Sequence, residues 1–255
     1  MNKIIKYVIA DLLRNRILLV YTLLLMVLSC SVFGMEDNAD KGIVSLLNVV
    51  LFVVPLVSII FSTVYWYNSA EFIELLVSQP VRRSVIWTSI FVGVAGTVAL
   101  AFAIGVGIPV LVYAATPSGA VLVCCGCILS LIFVSVALWA AVRIRDKAKG
   151  IGLAILVWLY FALLFDALVL FILFQFSDYP IEKGMVVLAM LNPVDISRIL
   201  ILLQIDLSAL MGYTGAVFRS FFGAGGGMAV TLAVLALWVL VPLAFSLRYF
   251  KRKDL

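Results

Sequence analysis

The amino-acid sequence predicts an all-α integral membrane protein that crosses the bilayer six times. Of its 255 residues, 65% are hydrophobic and 12% are charged, whereas soluble domains carry about 25% charged residues. Six apolar runs are long enough to cross the hydrocarbon core, for which a helix needs about 20 residues. The runs cover residues 17–35, 43–67, 85–115, 120–142, 151–174 and 228–247. We therefore treat residues 1–255 as one membrane domain.

The lysines and arginines predict the orientation of these helices. Most of the 18 basic residues lie before the first run, between runs two and three, between runs four and five, or after the last run. They are Lys3, Lys6, Arg14, Arg16, Arg82, Arg83, Arg143, Arg145, Lys147, Lys149, Arg248, Lys251, Arg252 and Lys253. Six alternating spans put all these segments on one side. Because cytoplasmic loops are enriched in Lys and Arg, we predict that both termini are cytoplasmic.

Residues 1–16 precede the first run and have the pattern of an amphipathic helix. Apolar side chains recur there at helical spacing, opposite the charged side chains. The apolar positions are Ile4, Ile5, Val8, Ile9, Leu12 and Leu13. Such a helix is expected to lie along the membrane interface.

A short charged helix is predicted over residues 69–80, between the second and third runs. Phe72, Leu75 and Leu76 would share one apolar face. Asn68 would cap the start of this helix, and Pro80 would end it.

Two interpretations of this short helix remain open on the residues alone. It is either an interfacial linker whose leucines lie among lipid headgroups, or a docking helix whose apolar face fits a groove in a soluble partner. In both cases Arg82 and Arg83 would anchor the next span at the interface.

The loop at residues 175–227 is long, and it is predicted to lie on the outer side. Its central part is apolar but is interrupted by Asn192, Pro193, Asp195 and Arg198. A seventh span here would put the C-terminal basic cluster outside, so we predict external or re-entrant helices packed on the bundle. The four interrupting residues are candidates for docking an outer-face partner. The alternative is a helix capped at its start by Asn192 or Asp195.

Asp166 is the sole carboxylate inside a predicted span. An ionisable side chain at that depth costs a few kcal/mol or more, so a functional or interface role is the default expectation. No predicted span offers a basic partner. We therefore expect the carboxyl group to be protonated, or to be hydrogen-bonded to a hydroxyl such as that of Thr22 or Ser29 in a second copy. A role in transport and a structural hydrogen bond both remain open.

Cys124 and Cys127 begin the fourth run three residues apart and so share a helical face. Thiolates suit Cu(I), but small residues at such positions more commonly allow close helix packing. Histidine, the commonest metal ligand and general base, is absent. We predict no catalytic residue and no metal site, with these two cysteines as the only metal candidates.

ATP and nucleic acid are not expected as ligands of this chain. The phosphate-binding motif G-x-x-x-x-G-K-[ST] does not occur in the sequence. The net charge of +5 reflects the one-sided placement of the basic residues rather than a nucleic-acid surface.

The sequence Glu74-Leu75-Leu76-Val77-Ser78-Gln79-Pro80-Val81-Arg82-Arg83 resembles the E-x-L-L-x-x-P-x-x-R segment of type-2 ABC permeases. These are exporters with six spans per subunit, and the segment is their coupling helix, which sits on the nucleotide-binding subunit. The resemblance implies the ATPase-coupling residues Glu71, Phe72, Glu74, Leu75, Leu76, Gln79, Pro80, Arg82 and Arg83. Glu71 and Phe72 stand where many members have Gly-Thr.

The resemblance to this family also implies an architecture and a set of partners. Residues 1–16 resemble the elbow helix of the family, and residues 248–255 resemble its basic tail. A homodimer of the chain would bind a cytoplasmic pair of ABC ATPase subunits, which hold ATP and Mg²⁺. The chain itself would bind no cofactor and would not be an enzyme. It would lie in the bacterial inner membrane as a multi-pass protein.

A narrower resemblance lies in the outer loop. Leu191-Asn192-Pro193-Val194-Asp195-Ile196-Ser197-Arg198 is similar to the N-P-x-D-x-x-R element of NosY-type permeases, which belong to the transporter that supports copper-site assembly in nitrous oxide reductase. This implies a sulfur or copper cargo and a periplasmic NosD-like partner. The alternatives are a general exporter of a lipid, drug or other small molecule, and a membrane enzyme that uses Asp166.

Overall fold

The computed structural model describes residues 2–36, 38–176, 182–205 and 225–252, and no strand occurs among them. Six of the described helices are long and apolar enough to cross a membrane, which confirms the predicted all-α fold with six spans. We number them span one to span six. They are Arg16–Met35, Ala39–Asn68, Arg83–Tyr113, Pro117–Arg143, Lys147–Gln175 and Gly225–Arg252.

Several spans begin a few residues before the apolar run because a polar side chain caps the first turn. Asn38 Oδ1 accepts a hydrogen bond from the Asp40 amide at 3.0 Å, so span two begins at Ala39. Asp146 Oδ1 accepts from the Lys149 amide at 2.8 Å at the start of span five. Such caps satisfy backbone N–H groups that have no partner inside the helix.

Span four forms the centre of the bundle. It packs against spans two, three and six, and its side chains are mostly buried. Spans one, five and six expose most of their apolar residues. At one end of the bundle, Trp66, Trp87 and Phe250 from spans two, three and six form an aromatic cluster. We call this end the basic end, because it also carries Arg82, Arg83, Arg143, Arg145, Arg248 and Arg252.

Two short helices lie at the basic end. The amphipathic helix Asn2–Leu13 precedes span one and buries Val8 and Leu12 completely, while it packs on span three. The short helix Ala70–Val77 follows span two after a single residue. It is shorter than the predicted segment 69–80, since residues 78–82 form a turn before span three.

A helical hairpin lies between spans five and six in the chain. It consists of Glu182–Met190 and Pro193–Gln204, and Val186 and Ala189 of the first helix pack against Ile199 of the second. Its open end lies at the end of the bundle opposite the basic end, where Ser118 Oγ donates to the Gln204 carbonyl at 3.5 Å. Its tip reaches inward, because the Met190 carbonyl accepts from Trp238 Nε1 at 3.3 Å near the middle of span six. The predicted packing of these helices on the bundle is therefore observed.

Spans three and five each contain one π-helical turn near the middle, at Ala103–Gly107 and Tyr160–Leu164. In span five the Phe165 amide donates to the Tyr160 carbonyl five residues back. A π turn widens the helix and alters which carbonyls are paired within it. The Phe161 carbonyl, which lies in this turn, accepts a hydrogen bond from the hairpin.

Candidate functional site

The short helix is anchored to the bundle by two buried side chains. Ile73 is 3% exposed and Leu76 is 8% exposed. Leu75 is 65% exposed, and it lies on the outward face with Glu71 and Glu74. The predicted apolar face of Phe72, Leu75 and Leu76 is therefore wrong: the buried pair is Ile73 and Leu76, spaced i, i+3, and Leu75 points away from it.

Phe72 connects the short helix to the amphipathic helix. Its ring stacks on the Tyr7 ring, with the centroids 5.0 Å apart and the planes 28° from parallel. Offset stacked pairs of this kind contribute about 0.5–1.5 kcal/mol beyond their buried area. Phe72 thus has a partner within the chain, and its role in coupling stays a prediction.

The predicted cap at Asn68 is also wrong. Span two continues through Asn68, and Ser69 stands at the cap position without a side-chain hydrogen bond. Instead, Asn68 Oδ1 accepts from Lys147 Nζ at 2.8 Å. The side chain joins the end of span two to the start of span five, which is a contact that local spacing does not reveal.

Tyr67 makes a second connection between spans two and five. Its hydroxyl donates to the Ile144 carbonyl at 3.1 Å, and its ring lies directly against Gly150, where a Cβ atom would collide with it. The segment before the short helix is therefore joined to the loop between spans four and five.

The remaining predicted coupling residues lie beyond the short helix. Gln79, Pro80 and Arg82 are exposed. Arg83 begins span three, and its Nη1 donates to the Lys251 carbonyl at 3.5 Å, at the end of span six. The structure thus places all nine predicted coupling residues at the basic end, but it divides them into buried, stacked and exposed positions.

Asp166 is paired with a guanidinium group rather than with a hydroxyl. Arg198 Nη1 lies 2.9 Å from Asp166 Oδ2 and 3.3 Å from Asp195 Oδ1. The expected hydroxyl of Thr22 or Ser29 would come from a second copy, so that contact stays a prediction; within the chain, Thr22 Oγ1 donates to the Leu18 carbonyl. The predicted spans indeed lack a basic partner, but the hairpin supplies one.

Asn192 holds the tip of the hairpin inside the bundle. Its Oδ1 accepts from the Val194 amide at 3.0 Å, which caps the second hairpin helix, and its Nδ2 donates to the Phe161 carbonyl at 3.0 Å. Asn192 is completely buried, and Pro193 is buried as well. Helix capping is therefore the correct interpretation for Asn192, and the outer docking face is wrong for these two residues. Docking at Asp195 and Arg198 stays a prediction.

The three charged groups form a cluster with an excess of one carboxylate. Burial raises the pKa of Asp195, the neighbouring Asp166 raises it further, and Arg198 opposes this shift. A low-polarity environment disfavours a net charge. Of the three groups, Asp195 therefore holds a proton more readily than an ordinary aspartic acid, because its pKa is raised.

The cysteines stand apart from both of these sites. Cys124 is exposed, Cys125 is buried and Cys127 is half-buried. In the described part of the chain, His, Cys, Asp and Glu residues do not come together in groups of three or more. Cys124 and Cys127 thus have no third side-chain ligand of these types among the described residues.

Comparison with known proteins gives a consistent result. The family model described as ABC-2 family transporter protein matches residues 51–255. A probable ABC transporter permease protein NosY from Stutzerimonas stutzeri is 29% identical over 271 residues, which cover 96% of this chain and 95% of that protein. A protein of the same name from Pseudomonas aeruginosa is 28% identical over 268 residues, which cover 97% and 96%.

Proposed function

The chain belongs to the ABC-2 family of transporter proteins, and on this premise we propose that it works as the homodimeric membrane subunit of an ATP-driven exporter. As a transporter permease it is not itself catalytic. ATP and Mg²⁺ bind to two separate ATPase subunits, which dock at the basic end of the bundle.

The observation that carries the proposal is the outward face of the short helix Ala70–Val77. Ile73 and Leu76 fix the helix to the bundle, while Glu71, Glu74 and Leu75 remain exposed. A fixed helix with an exposed leucine beside two carboxylates is suited to a groove in a protein partner. The position of this helix, after the second span, agrees with the coupling segment of the family.

The contacts around the short helix suggest how movement of the ATPases reaches the spans. A push on Leu75 is passed through Phe72 and Tyr7 to the amphipathic helix. It is also passed through the hydrogen bond between Asn68 and Lys147 to span five. Because these contacts join rigid helices, displacement of the short helix would move spans one, two and five together.

The proposed orientation puts the basic end in the cytoplasm and the open end of the hairpin outside a bacterial inner membrane. The excess of Lys and Arg at the basic end supports this assignment. Both chain termini are then cytoplasmic.

The proposed coupling surface is tested by Leu75→Asp in the chain co-expressed with its ABC ATPase partner. We expect the variant to lose most of the co-purified ATPase and of the complex's ATP hydrolysis, because a charge replaces the exposed leucine in the groove. Met35→Asp is the matched control, since Met35 is 86% exposed at the opposite end of the bundle. Unchanged co-purification of Leu75→Asp would refute the coupling surface.

We further propose that the exporter is of the NosY type, which supports copper-site assembly of nitrous oxide reductase together with a periplasmic NosD-like subunit. The support is the similarity of 28–29% identity over nearly the full length, with the element Asn192-Pro193-Val194-Asp195-Ile196-Ser197-Arg198 in the hairpin. A membrane enzyme that uses Asp166 is disfavoured, because Asp166 is bound to Arg198.

The NosY-type role is tested by complementation of a nitrous-oxide-reducing bacterium whose own NosY-type permease gene is deleted. We expect this chain, with its ATPase, to restore the copper content of the purified reductase, and Leu75→Asp to fail. If the wild-type chain forms an active ATPase complex but the reductase stays copper-deficient, the cargo is of another class and the permease proposal is unaffected.

A further inference from the structure

A notch lined by arginine and aromatic side chains opens at the basic end, between spans four and six. It has a volume of about 350 Å³. Its lining residues are Arg143 of span four and Phe245, Arg248, Tyr249 and Arg252 of span six. The four residues from span six are spaced i, i+3, i+4, i+7 and therefore lie on one face of that helix.

Arg143 is held in place by aromatic rings from both spans. Its guanidinium carbon lies 4.4 Å from the centre of the Trp139 ring and 5.8 Å from that of the Tyr249 ring. Cations within about 6 Å of a ring centroid are attracted to the ring face. The guanidinium is thus held against two ring faces at the mouth of the notch, where Arg143 remains exposed.

The notch concentrates positive charge that the described part of the chain does not neutralise. Within residues 2–36, 38–176, 182–205 and 225–252, the ion pairs below 4 Å all belong to Arg198. Three guanidinium groups around one cavity repel one another, and an anion placed among them relieves the repulsion. Phosphate groups fit guanidinium donors in a bidentate geometry, which makes arginine the usual residue for binding them.

The notch also has an apolar wall on its membrane side. Phe245 is 50% exposed and precedes Arg252 by seven residues, which is about 10 Å along a helix. A ligand that touches both must have an anionic head and a hydrocarbon portion. A soluble anion would use the arginines but would leave the exposed phenylalanine uncovered.

We propose that this notch binds an anionic phospholipid, with the phosphate among Arg143, Arg248 and Arg252 and an acyl chain along Phe245. Basic pockets between membrane helices at the cytoplasmic interface are suited to such headgroups. The notch is separate from the short helix. Loss of lipid binding at the notch and loss of ATPase binding at the short helix are therefore measured independently.

The test is a lipid titration of the purified full chain in detergent, followed by native mass spectrometry. We expect phosphatidylglycerol to bind at least tenfold more tightly than phosphatidylcholine. The triple substitution Arg143→Gln, Arg248→Gln and Arg252→Gln should remove this preference, since each interfacial guanidinium contributes about fivefold. The control triple Arg14→Gln, Arg16→Gln and Arg145→Gln removes the same charge from exposed positions at the same end and should change the affinity by less than about twofold.

Four outcomes would overturn the proposal. The first two are an equal loss of phosphatidylglycerol affinity in the two triple variants, and a wild-type chain that does not prefer phosphatidylglycerol over phosphatidylcholine. The third is displacement of phosphatidylglycerol by millimolar inorganic phosphate. The fourth is a notch triple that loses ATPase co-purification while its lipid binding stays intact. If the notch triple does not fold, the exposed single substitution Arg248→Gln replaces it. We then expect a loss of about fivefold, and an unchanged affinity would contradict the proposal.

Discussion

Arg198 joins two carboxylates from different elements, Asp166 of span five and Asp195 of the hairpin. About a third of the side-chain surface of Asp166 and Arg198 remains exposed. Their attraction is therefore weaker than that of a completely buried pair. Loss of the guanidinium would leave two carboxyl groups facing each other, which is a worse arrangement than loss of either aspartate.

We predict that Arg198→Gln lowers the free energy of unfolding by about 2 kcal/mol. This loss is smaller than that for breaking a fully buried ion pair, because the charged groups are partly exposed to solvent. Below pH 7, Asp195→Asn should cost less than about 0.5 kcal/mol, because burial raises the pKa of Asp195 to about 7 and the side chain is then mostly neutral. The measurement is denaturant unfolding of the purified chain in detergent.

The double variant Arg198→Gln/Asp166→Asn serves as the control for this cluster. It should recover part of the loss seen in Arg198→Gln, because the uncompensated Asp166 charge is then removed. A loss for Asp195→Asn as large as that for Arg198→Gln would contradict the proposed charge state.

At the scale of elements, the joint between spans two and five depends on close packing at Gly150. The Tyr67 ring occupies the space that a Cβ atom at Gly150 would take, and its hydroxyl is held by the Ile144 carbonyl. Gly152 belongs to the same helix, but a Cβ atom there would meet nothing within 4 Å. The two glycines therefore differ in packing while sharing one helical environment.

We predict that Gly150→Ala destabilises the chain by about 1–3 kcal/mol through overpacking. Gly152→Ala should be neutral or stabilising by up to about 1 kcal/mol, because alanine favours the helix. Thermal unfolding of both variants in detergent checks this. Equal melting temperatures for the two variants would show that Tyr67 moves aside at no cost.

Apolar runs and helical periodicity were sufficient to predict the six spans, the short helix and the helices between spans five and six, since each is encoded by local sequence. Contacts between distant segments could not be predicted in the same way. The Asn68–Lys147 bond and the Arg198–Asp166 pair join residues 79 and 32 positions apart. The burial of Ile73 and Leu76 against the bundle was missed, because Ile73 and Leu75 are both apolar and local spacing does not show which of them meets the bundle.

At the scale of the whole molecule, span four is enclosed by spans two, three and six and by the hairpin. A route for cargo through one copy would have to open this packed core, at the cost of the buried contacts of span four. The exposed apolar faces of spans one and five offer an alternative between two copies, in agreement with the proposed homodimer. In such a homodimer, each copy would present its helix Ala70–Val77 to one of the two ATPase subunits.

The proposed coupling requires that the outward face of the short helix touches an ATPase. The most direct measurement is photo-cross-linking in the intact complex, with p-benzoylphenylalanine replacing Leu75 in one sample and Met35 in another. We predict a cross-link to the ATPase subunit from position 75 and none from position 35. An intact, ATP-hydrolysing complex without a cross-link from position 75 would contradict the account.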